Sequence, residues 1–367
     1  MAGQQDSSDG IDMPNHVPVK TGRFPCQRHN HSGRGQHLNH VPVATCRRPS
    51  QKTNYSGRGQ GFLAFCTIAL LLAGATAARA EAKYKTFLDW CEHRDTISAA
   101  AQDTVMTVMA RLSVLEADCE TAHAVASQAT SLDLSHTVVT DLRPLATLSA
   151  LESLSLDYNE EISDLSPLAS LHQLKSLSLN DNQVSDLSPL SNLSELEYLY
   201  ARYNQIQDLS PLTALTQLRY LDLKHNQIEE IAPLQFYNRL NGLELSHNQI
   251  EDISIFSQVG GSIYSLSLNN NNITDISPLT DLSVNVLDIS SNPISDYSVL
   301  SALALSGYPG LTALIIGGEQ IAYLDAIVDH LVLNEDWAPE VRLEIVDSDL
   351  RDASLLLPLT RLAPRLD

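Results

Sequence analysis

Aromatic residues are scarce in this chain, at 5% of its length, and only two are tryptophan. No interior can be built around large rings, so an aliphatic core made mainly of leucine is expected. The common catalytic patterns are missing too: there is no G-x-S-x-G elbow, no H-E-x-x-H pair and no glycine-rich phosphate loop. Catalysis needs a nucleophile with a base, or paired acids, in a pocket, and none stands out, so the chain does not read as an enzyme.

Basic residues become rare beyond the first 80. Residues 1–80 hold 9 Lys/Arg and 3 Asp, whereas residues 81–367 hold 14 basic and 41 acidic residues, a net charge of −27. Phosphate binding needs the opposite sign, which argues against a nucleic-acid partner. The excess leaves two readings, a self-repelling soluble surface or attraction for basic partners.

Long apolar runs are also absent. The strongest, residues 62–73 (FLAFCTIALLLA), follows Arg47, Arg48, Lys52 and Arg58 and leads to Ala78-Arg79-Ala80. This is the layout of a secretory signal with an A-x-A cleavage site. It is short for a stable membrane span, which takes about 20 apolar residues, although an uncleaved signal-anchor is the alternative. Cleavage after Ala80 would leave Cys91 and Cys119 as the only cysteines. In an oxidising compartment such a pair reads as a disulfide, the alternative being two buried thiols. Export to the periplasm or the cell exterior is therefore expected.

The first 60 residues are rich in Gly, Pro, Ser, His and Arg and lack apolar periodicity, so they read as disordered. They repeat internally: residues 16–36 match residues 40–60 at 14 of 21 positions. A signal buried this deep suggests that much of this segment is read through from a misassigned start or is discarded. Residues 81–128 follow with Val105, Met106, Val108, Met109 and Leu112 at helical spacing and Thr96 or Ser98 as caps. A stack of repeats exposes the apolar end of its first coil. This helical segment, with Cys91 before it and Cys119 after it, suits the covering role.

From Ala129 a pattern L-x-x-L-x-L-x-x-N-x-I-x-D-L-S-P-L recurs about every 22 residues. Two clear copies are Leu174-Leu177-Leu179-Asn182-Val184-Leu187-Pro189-Leu190 and Leu218-Leu221-Leu223-Asn226-Ile228-Ile231-Pro233-Leu234. In L-x-L the leucines point inward from a short strand while their neighbours face solvent. A buried Asn must be hydrogen-bonded, so Asn159, Asn182, Asn204, Asn226, Asn248, Asn271 and Asn292 are expected to stack as a ladder bonding adjacent turns. Thr137 precedes them in register, and Glu319 and Ser348 follow. In S-P-L, proline fits the first helical position and serine can cap it, giving short 3₁₀ or helical turns opposite the strands. The spacing stretches to 27 from Leu287 to Leu314 and 29 from Leu314 to Leu343, as at an irregular closing end.

The fold expected is thus an α/β leucine-rich-repeat solenoid with one parallel sheet and an N-terminal helical cap. Its parts are a disordered segment at 1–57, a signal at 58–80, a cap at 81–128, about ten repeats at 129–358 with the last two irregular, and a tail at 359–367. Across about Thr130 to Leu300, the 22-residue repeats with N-x-I-x-D-L-S-P-L resemble those of bacterial internalins and related exported proteins. That resemblance implies a right-handed, curved solenoid whose concave sheet binds other proteins. The preceding helices resemble that group's caps, while the Cys91/Cys119 pair is this chain's own. No LPXTG-type sorting signal or immunoglobulin-like domain follows the repeats, so anchoring as in internalins is not expected.

If the leucines point inward, the partner-facing side chains can be read off directly. The first three repeats offer Ser131, Asp133, Ser153, Ser155, Asp157, Ser176, Ser178 and Asn180. The next two offer Tyr198, Tyr200, Arg202 and Tyr203, then Tyr220, Asp222, Lys224 and His225, with Glu244 and His247 as an extension. Tyrosine and arginine bury much area while keeping a polar handle, as interface hot spots do. Lateral stacking of strand tyrosines would explain the same run without a partner. His136, His225 and His247 lie near the ladder and read as ordinary surface histidines. Asn269 to Asn272 and the aspartates of the turns lack the D-x-D-x-D-G spacing of a calcium loop, so no metal and no cofactor is expected. The reading is a monomeric, non-catalytic module that binds a protein on its concave face. The alternative is a glycan-binding or adhesive envelope component.

Overall fold

The structure is a computed structural model that describes residues 84–237, 239–258, 262–280, 282–300, 311–325, 328 and 342–346. The segment at 1–57, the signal at 58–80, the tail at 359–367 and Ser348 lie outside the described residues.

Three short helices open the described chain, where one helical segment between the cysteines is expected. Helix α1 (Phe87–Glu92) starts at a capping box in which Thr86 and Asp89 bond each other's backbone N–H. Helix α2 (Ala99–Arg111) is capped by Ser98, whose hydroxyl accepts the Ala101 N–H at 3.2 Å. Thr96 does not cap it, because its hydroxyl donates to the His93 carbonyl at 2.8 Å. After α2 the chain turns at Ser113, φ 59°, and a new cap, Asp118, starts helix α3 (Cys119–Ala126). Cys91 therefore sits inside α1 and Cys119 opens α3, and their disulfide ties the two helices together. The cap buries Phe87, Trp90, Val105, Val108, Met109 and Ala126, in one core with the leucines of the repeats. It is also stitched to the first repeat, since the Thr104 hydroxyl donates to the Asp141 carbonyl and Arg111 to the Ser135 carbonyl, each at 2.8 Å.

The repeats then build one ten-stranded sheet, all parallel and in chain order. Its strands are β1 (Ser131–Asp133), β2 (Ser153–Ser155), β3 (Ser176–Ser178), β4 (Tyr198–Tyr200), β5 (Tyr220–Asp222), β6 (Gly242–Glu244), β7 (Ser262–Ser267), β8 (Ser283–Asp288), β9 (Ala313–Gly317) and β10 (Arg342–Val346). Register places Leu132, Leu154, Leu177, Leu199, Leu221, Leu243, Leu266, Leu287 and Leu314 side by side. All nine are buried, and each contributes about 1.5–3 kcal/mol by leaving water. Because every central residue faces the core, its two neighbours face outward, and the sheet presents an open face.

On the far side, 3₁₀ turns such as Ser166–Ser170, Ser188–Leu190 and Ser210–Ala214 close the coils, with Pro in their first positions. The serine of S-P-L is not the capping group. Its backbone N–H donates to the aspartate two residues earlier: Ser166 to Asp164, Ser188 to Asp186, Ser210 to Asp208, Ser254 to Asp252 and Ser277 to Asp275, at 2.7–2.9 Å. The carboxylate wins because it accepts a charge-assisted bond within an Asx turn, so D-L-S acts as one unit.

The asparagines form a continuous ladder. In each, Nδ2 donates to a carbonyl of the preceding repeat, as Asn204 does to Leu179, Asn226 to Ala201 and Asn248 to Leu223 at 2.9–3.1 Å. Their Oδ1 atoms accept a backbone N–H of that repeat, as from Val184, Ile206 and Ile228. The ladder begins at Thr137, whose hydroxyl donates to Asn159 Oδ1 at 2.7 Å. At its far end Gln320 carries ladder bonds, while the side chain of Glu319, expected in register, lies outside the described residues. Gln320 Nε2 donates to the Ile289 carbonyl at 3.0 Å while its Oε1 accepts the Gly317 N–H. A side chain one carbon longer reaches the same carbonyl from one residue further along. The one flaw is Asn182: Ile162 N–H bonds the Asn159 carbonyl instead, and Asn182 Oδ1 is left without a partner.

Candidate partner-binding face

Strands of three residues leave only two outward side chains each, so the sheet face is set residue by residue. Across β1 to β3 these are serines and Asp133. At β4 and β5 they become Tyr198, Tyr200, Tyr220 and Asp222, in register as Tyr198 with Tyr220 and Tyr200 with Asp222. The rings of Tyr200 and Tyr220 meet at a centroid distance of 5.3 Å with a 37° tilt. Tyr220 can lie toward β6 because its partner there is Gly242, where a Cβ would sit 2.5 Å from the ring's Cδ2. Tyr198 stays 38% exposed, enough to meet a partner, while Tyr200 and Tyr220 are half-buried and burial raises their phenol pKa values.

A second aromatic row runs beside the strand ends. Tyr203 stacks on His225 at 4.1 Å and His225 on His247 at 3.9 Å, and a like pair joins His136 and Tyr158 at 4.3 Å. His136 is exposed and His225 and His247 are half-buried, and all three share one backbone position. His136, Tyr158, Asp181, Tyr203, His225, His247, Asn270 and Ser291 each immediately precede a ladder residue and adopt φ between 53° and 57°. That left-handed conformation costs an L-residue free energy. The ladder bonds fix the turn, and the stacked rings form a column across successive coils. Desolvation, then the neighbouring His247 and Lys224, hold the His225 imidazole near a pKa of 4.

Charged groups are drawn into the same face. Arg202 is half-buried and, although burial opposes its charge, Asp222, the Tyr158 hydroxyl and Asp181 raise its pKa. Its Nε has no hydrogen-bond partner. Asp222 is only 9% exposed, and desolvation raises its pKa; its Oδ1 accepts the Lys224 N–H at 3.1 Å. Glu244, in register with Asp222, is pushed to about 7 by burial first and then by Asp222, with Ser267, Lys224 and Asp288 also around it. The pattern of inward leucines brings Tyr198, Tyr200, Arg202, Tyr203, Tyr220, Asp222, Lys224 and His225 onto one continuous face. What it does not foretell is the notch at Gly242 and the desolvated Asp222–Glu244 pair. Pairing residues 22 apart would have found the adjacency, though not the burial.

Elsewhere the surface offers two open grooves of about 330–340 Å³. One lies at Thr137, Val138, Tyr158 and Glu160, and an acidic one at Glu229, Glu230, Glu251 and Asp252. Among the described residues no group of three or more His, Cys, Asp or Glu is arranged to hold a metal ion. No described helix is long and apolar enough to cross a membrane.

Comparison with known proteins agrees with this geometry. The family model "Leucine Rich repeats (2 copies)" matches residues 151–192, 172–214, 194–236 and 216–258. No curated protein matches the sequence. Among solved structures, an internalin of Listeria monocytogenes is 31% identical, with 67% of this chain and 68% of that chain covered and a TM-score of 0.52. An internalin C2 of the same species is 32% identical over 44% of this chain and 73% of its own, with a TM-score of 0.41. A leucine-rich-repeat protein of Leptospira interrogans is 22% identical over 64% and 59%, with a TM-score of 0.42. With repeats, ladder and this identity across two thirds of both chains in agreement, the chain belongs to the internalin-like leucine-rich-repeat proteins.

Proposed function

We propose that the chain is a non-catalytic, exported module that captures a partner protein on the open sheet face between Tyr198 and His225. The observation that carries this reading is the change of surface from β3 to β4. Serines give way to four tyrosines, three basic or imidazole side chains and Asp222 within two repeats, in a chain otherwise poor in rings. Such side chains supply most of the binding energy at protein interfaces. Lateral stacking accounts for Tyr200 on Tyr220, but it leaves Tyr198 and Tyr203 exposed at 38% and 47%. Export is supported by the apolar run at 62–73 with its A-R-A site and by the Cys91–Cys119 disulfide. The compartment is the periplasm or the cell exterior, and the mature chain, a monomer, begins after Ala80 with the cap at 81–128, followed by the repeats at 129–358 and the tail at 359–367.

The test is an affinity capture with the mature protein and a variant carrying Tyr198→Ala, Tyr200→Ala and Tyr220→Ala. The variant is expected to lose capture by about a hundredfold or more while its thermal transition stays cooperative. Unchanged capture defeats the assignment of the face. Capture of glycan by a protein-free extract would replace the protein partner with a sugar.

A further inference from the structure

Within the tyrosine face, two carboxyl groups stand against two rings, near Arg202 and Lys224 but ion-paired with neither. Tyr220 pairs with Gly242 and Asp222 with Glu244 across β5 and β6, and Tyr200 pairs with Asp222 across β4 and β5. Because Gly242 has no side chain, the Tyr220 ring settles over β6, and Tyr200 leans on it from the other side. The rings and the carboxyl groups therefore occupy one block three strands wide. Asp222 is 9% exposed and its carboxylate takes a backbone N–H from Lys224. Neither Asp222 nor Glu244 forms an ion pair among the described residues, unlike Arg143–Asp141, Lys175–Glu152, Arg219–Glu197 and Arg342–Glu344. Arg202 acts on Asp222, Tyr158 and Asp181, and Lys224 is the cation that acts on Glu244, but neither of them closes an ion pair with the two carboxyl groups.

Two adjacent, poorly hydrated carboxylates repel each other, and a free face that keeps them is completed by a cation from outside. The flat rings beside them select among cations. A guanidinium stacks on tyrosine and offers its N–H groups as a planar fork to carboxylates, whereas an ammonium is a compact, strongly hydrated point charge. The net charge of −21 on the whole chain draws a basic partner toward this face.

We infer that this block is the seat for an arginine side chain of the partner protein, its guanidinium against the Tyr200 and Tyr220 rings and its N–H groups on Asp222 and Glu244. The inference rests on the reading of this face as protein-binding and sharpens it to a partner that presents arginine in a basic segment.

The probe is N-acetyl-arginine amide, titrated into the protein while tyrosine ring signals are followed by NMR. N-acetyl-citrulline amide, nearly the same shape without the charge, and N-acetyl-lysine amide serve as controls. The arginine compound is expected to shift ring signals saturably, the lysine compound more weakly, and the citrulline compound not at all. Glu244→Gln and Asp222→Asn should each weaken the arginine response about tenfold or more, the value of a charge-assisted bond. Thermal unfolding of both variants checks the fold, which the loss of a desolvated charge should not weaken. An equal response to citrulline, or an unchanged response in both variants, overturns the seat. In the capture assay the two levels separate. If the triple tyrosine variant loses the partner while Glu244→Gln and Asp222→Asn keep it, the arginine seat falls and the protein-binding face stands. If the triple variant keeps the partner, the wider reading falls and takes the seat with it.

Discussion

His225 and Glu244 stand on neighbouring coils, and their burial shifts them in opposite directions. The imidazole is held near 4 against an ordinary 6.5, and the carboxyl is held near 7 against an ordinary 4.5. Between pH 4 and 6.5 the unfolded chain binds the histidine proton more strongly, so acidification through that window removes stability. Between pH 4.5 and 7 the folded chain holds the Glu244 proton more strongly, so stability is lost as pH rises through that window. Asp222, raised by the same desolvation, adds to the second effect. The two slopes oppose one another where the windows overlap, and wild-type stability should change little there on their account. Glu244→Gln leaves the histidine slope, and its urea midpoint should fall as pH drops from 6.5 to 4. His225→Asn, a residue that tolerates the left-handed φ of 55°, leaves the other slope, and its midpoint should fall as pH rises from 4.5 to 7. Midpoints for both variants that run parallel to wild type across pH 4–7 would show that neither group is desolvated as described.

A repeat holds to its neighbours through its strand and its ladder asparagine, and the ladder supplies a built-in comparison. Asn226→Ala would take one of two side-chain donors from each of the Ala201 and Leu223 carbonyls, which keep Asn204 and Asn248, and would leave the Ile206 N–H without its side-chain partner. Asn182→Ala takes one donor from each of the Leu156 and Leu179 carbonyls, which keep Asn159 and Asn204, but no N–H depends on its Oδ1. A buried donor left unpaired costs about 1–3 kcal/mol, so Asn226→Ala should be the more destabilising by about that amount in denaturant unfolding. Equal losses would mean that the Oδ1 half of the ladder adds nothing. The ladder, the strands and the inward leucines could be read from the sequence because one coil equals one sequence period and each position repeats its environment. Legibility fails where that identity fails. The Glu160-Glu161 stretch lengthens one coil and frees Asn182, Gln320 bonds one residue beyond the expected register, and Asp164 and its equivalents cap turns credited to serine. At the candidate face, spacing gave the membership of Tyr198, Tyr200 and Tyr220. The burial of Asp222 and Glu244 instead depends on where the Tyr220 ring falls, and Gly242 decides that in three dimensions.

Across the whole molecule, charge is the term least balanced by the fold. The chain carries 23 basic and 44 acidic residues, and two opposed effects govern how salt acts on it. Screening weakens attractive pairs, but Lys175–Glu152, Arg219–Glu197 and Arg342–Glu344 each have at least one well-exposed member, and pairs of that kind are worth only about 0–1 kcal/mol each. Screening also relieves the repulsion among carboxylates brought close by stacking, such as Glu229, Glu230, Glu251 and Asp252 around one groove. Repulsion summed over so large an excess destabilises the compact state more than the unfolded chain, in which the charges lie further apart. At 0.5 M salt the screening length falls to roughly 4 Å, shorter than most of these separations. The thermal midpoint at neutral pH should therefore rise by a few degrees as sodium chloride is raised from about 20 mM to about 0.5 M, most steeply over the first 0.1–0.2 M, where the screening length changes fastest. Scanning calorimetry over that range measures it. A midpoint that falls with salt would show that attractive pairs outweigh the repulsion, and the acidic surface could no longer be counted as a cost of the fold.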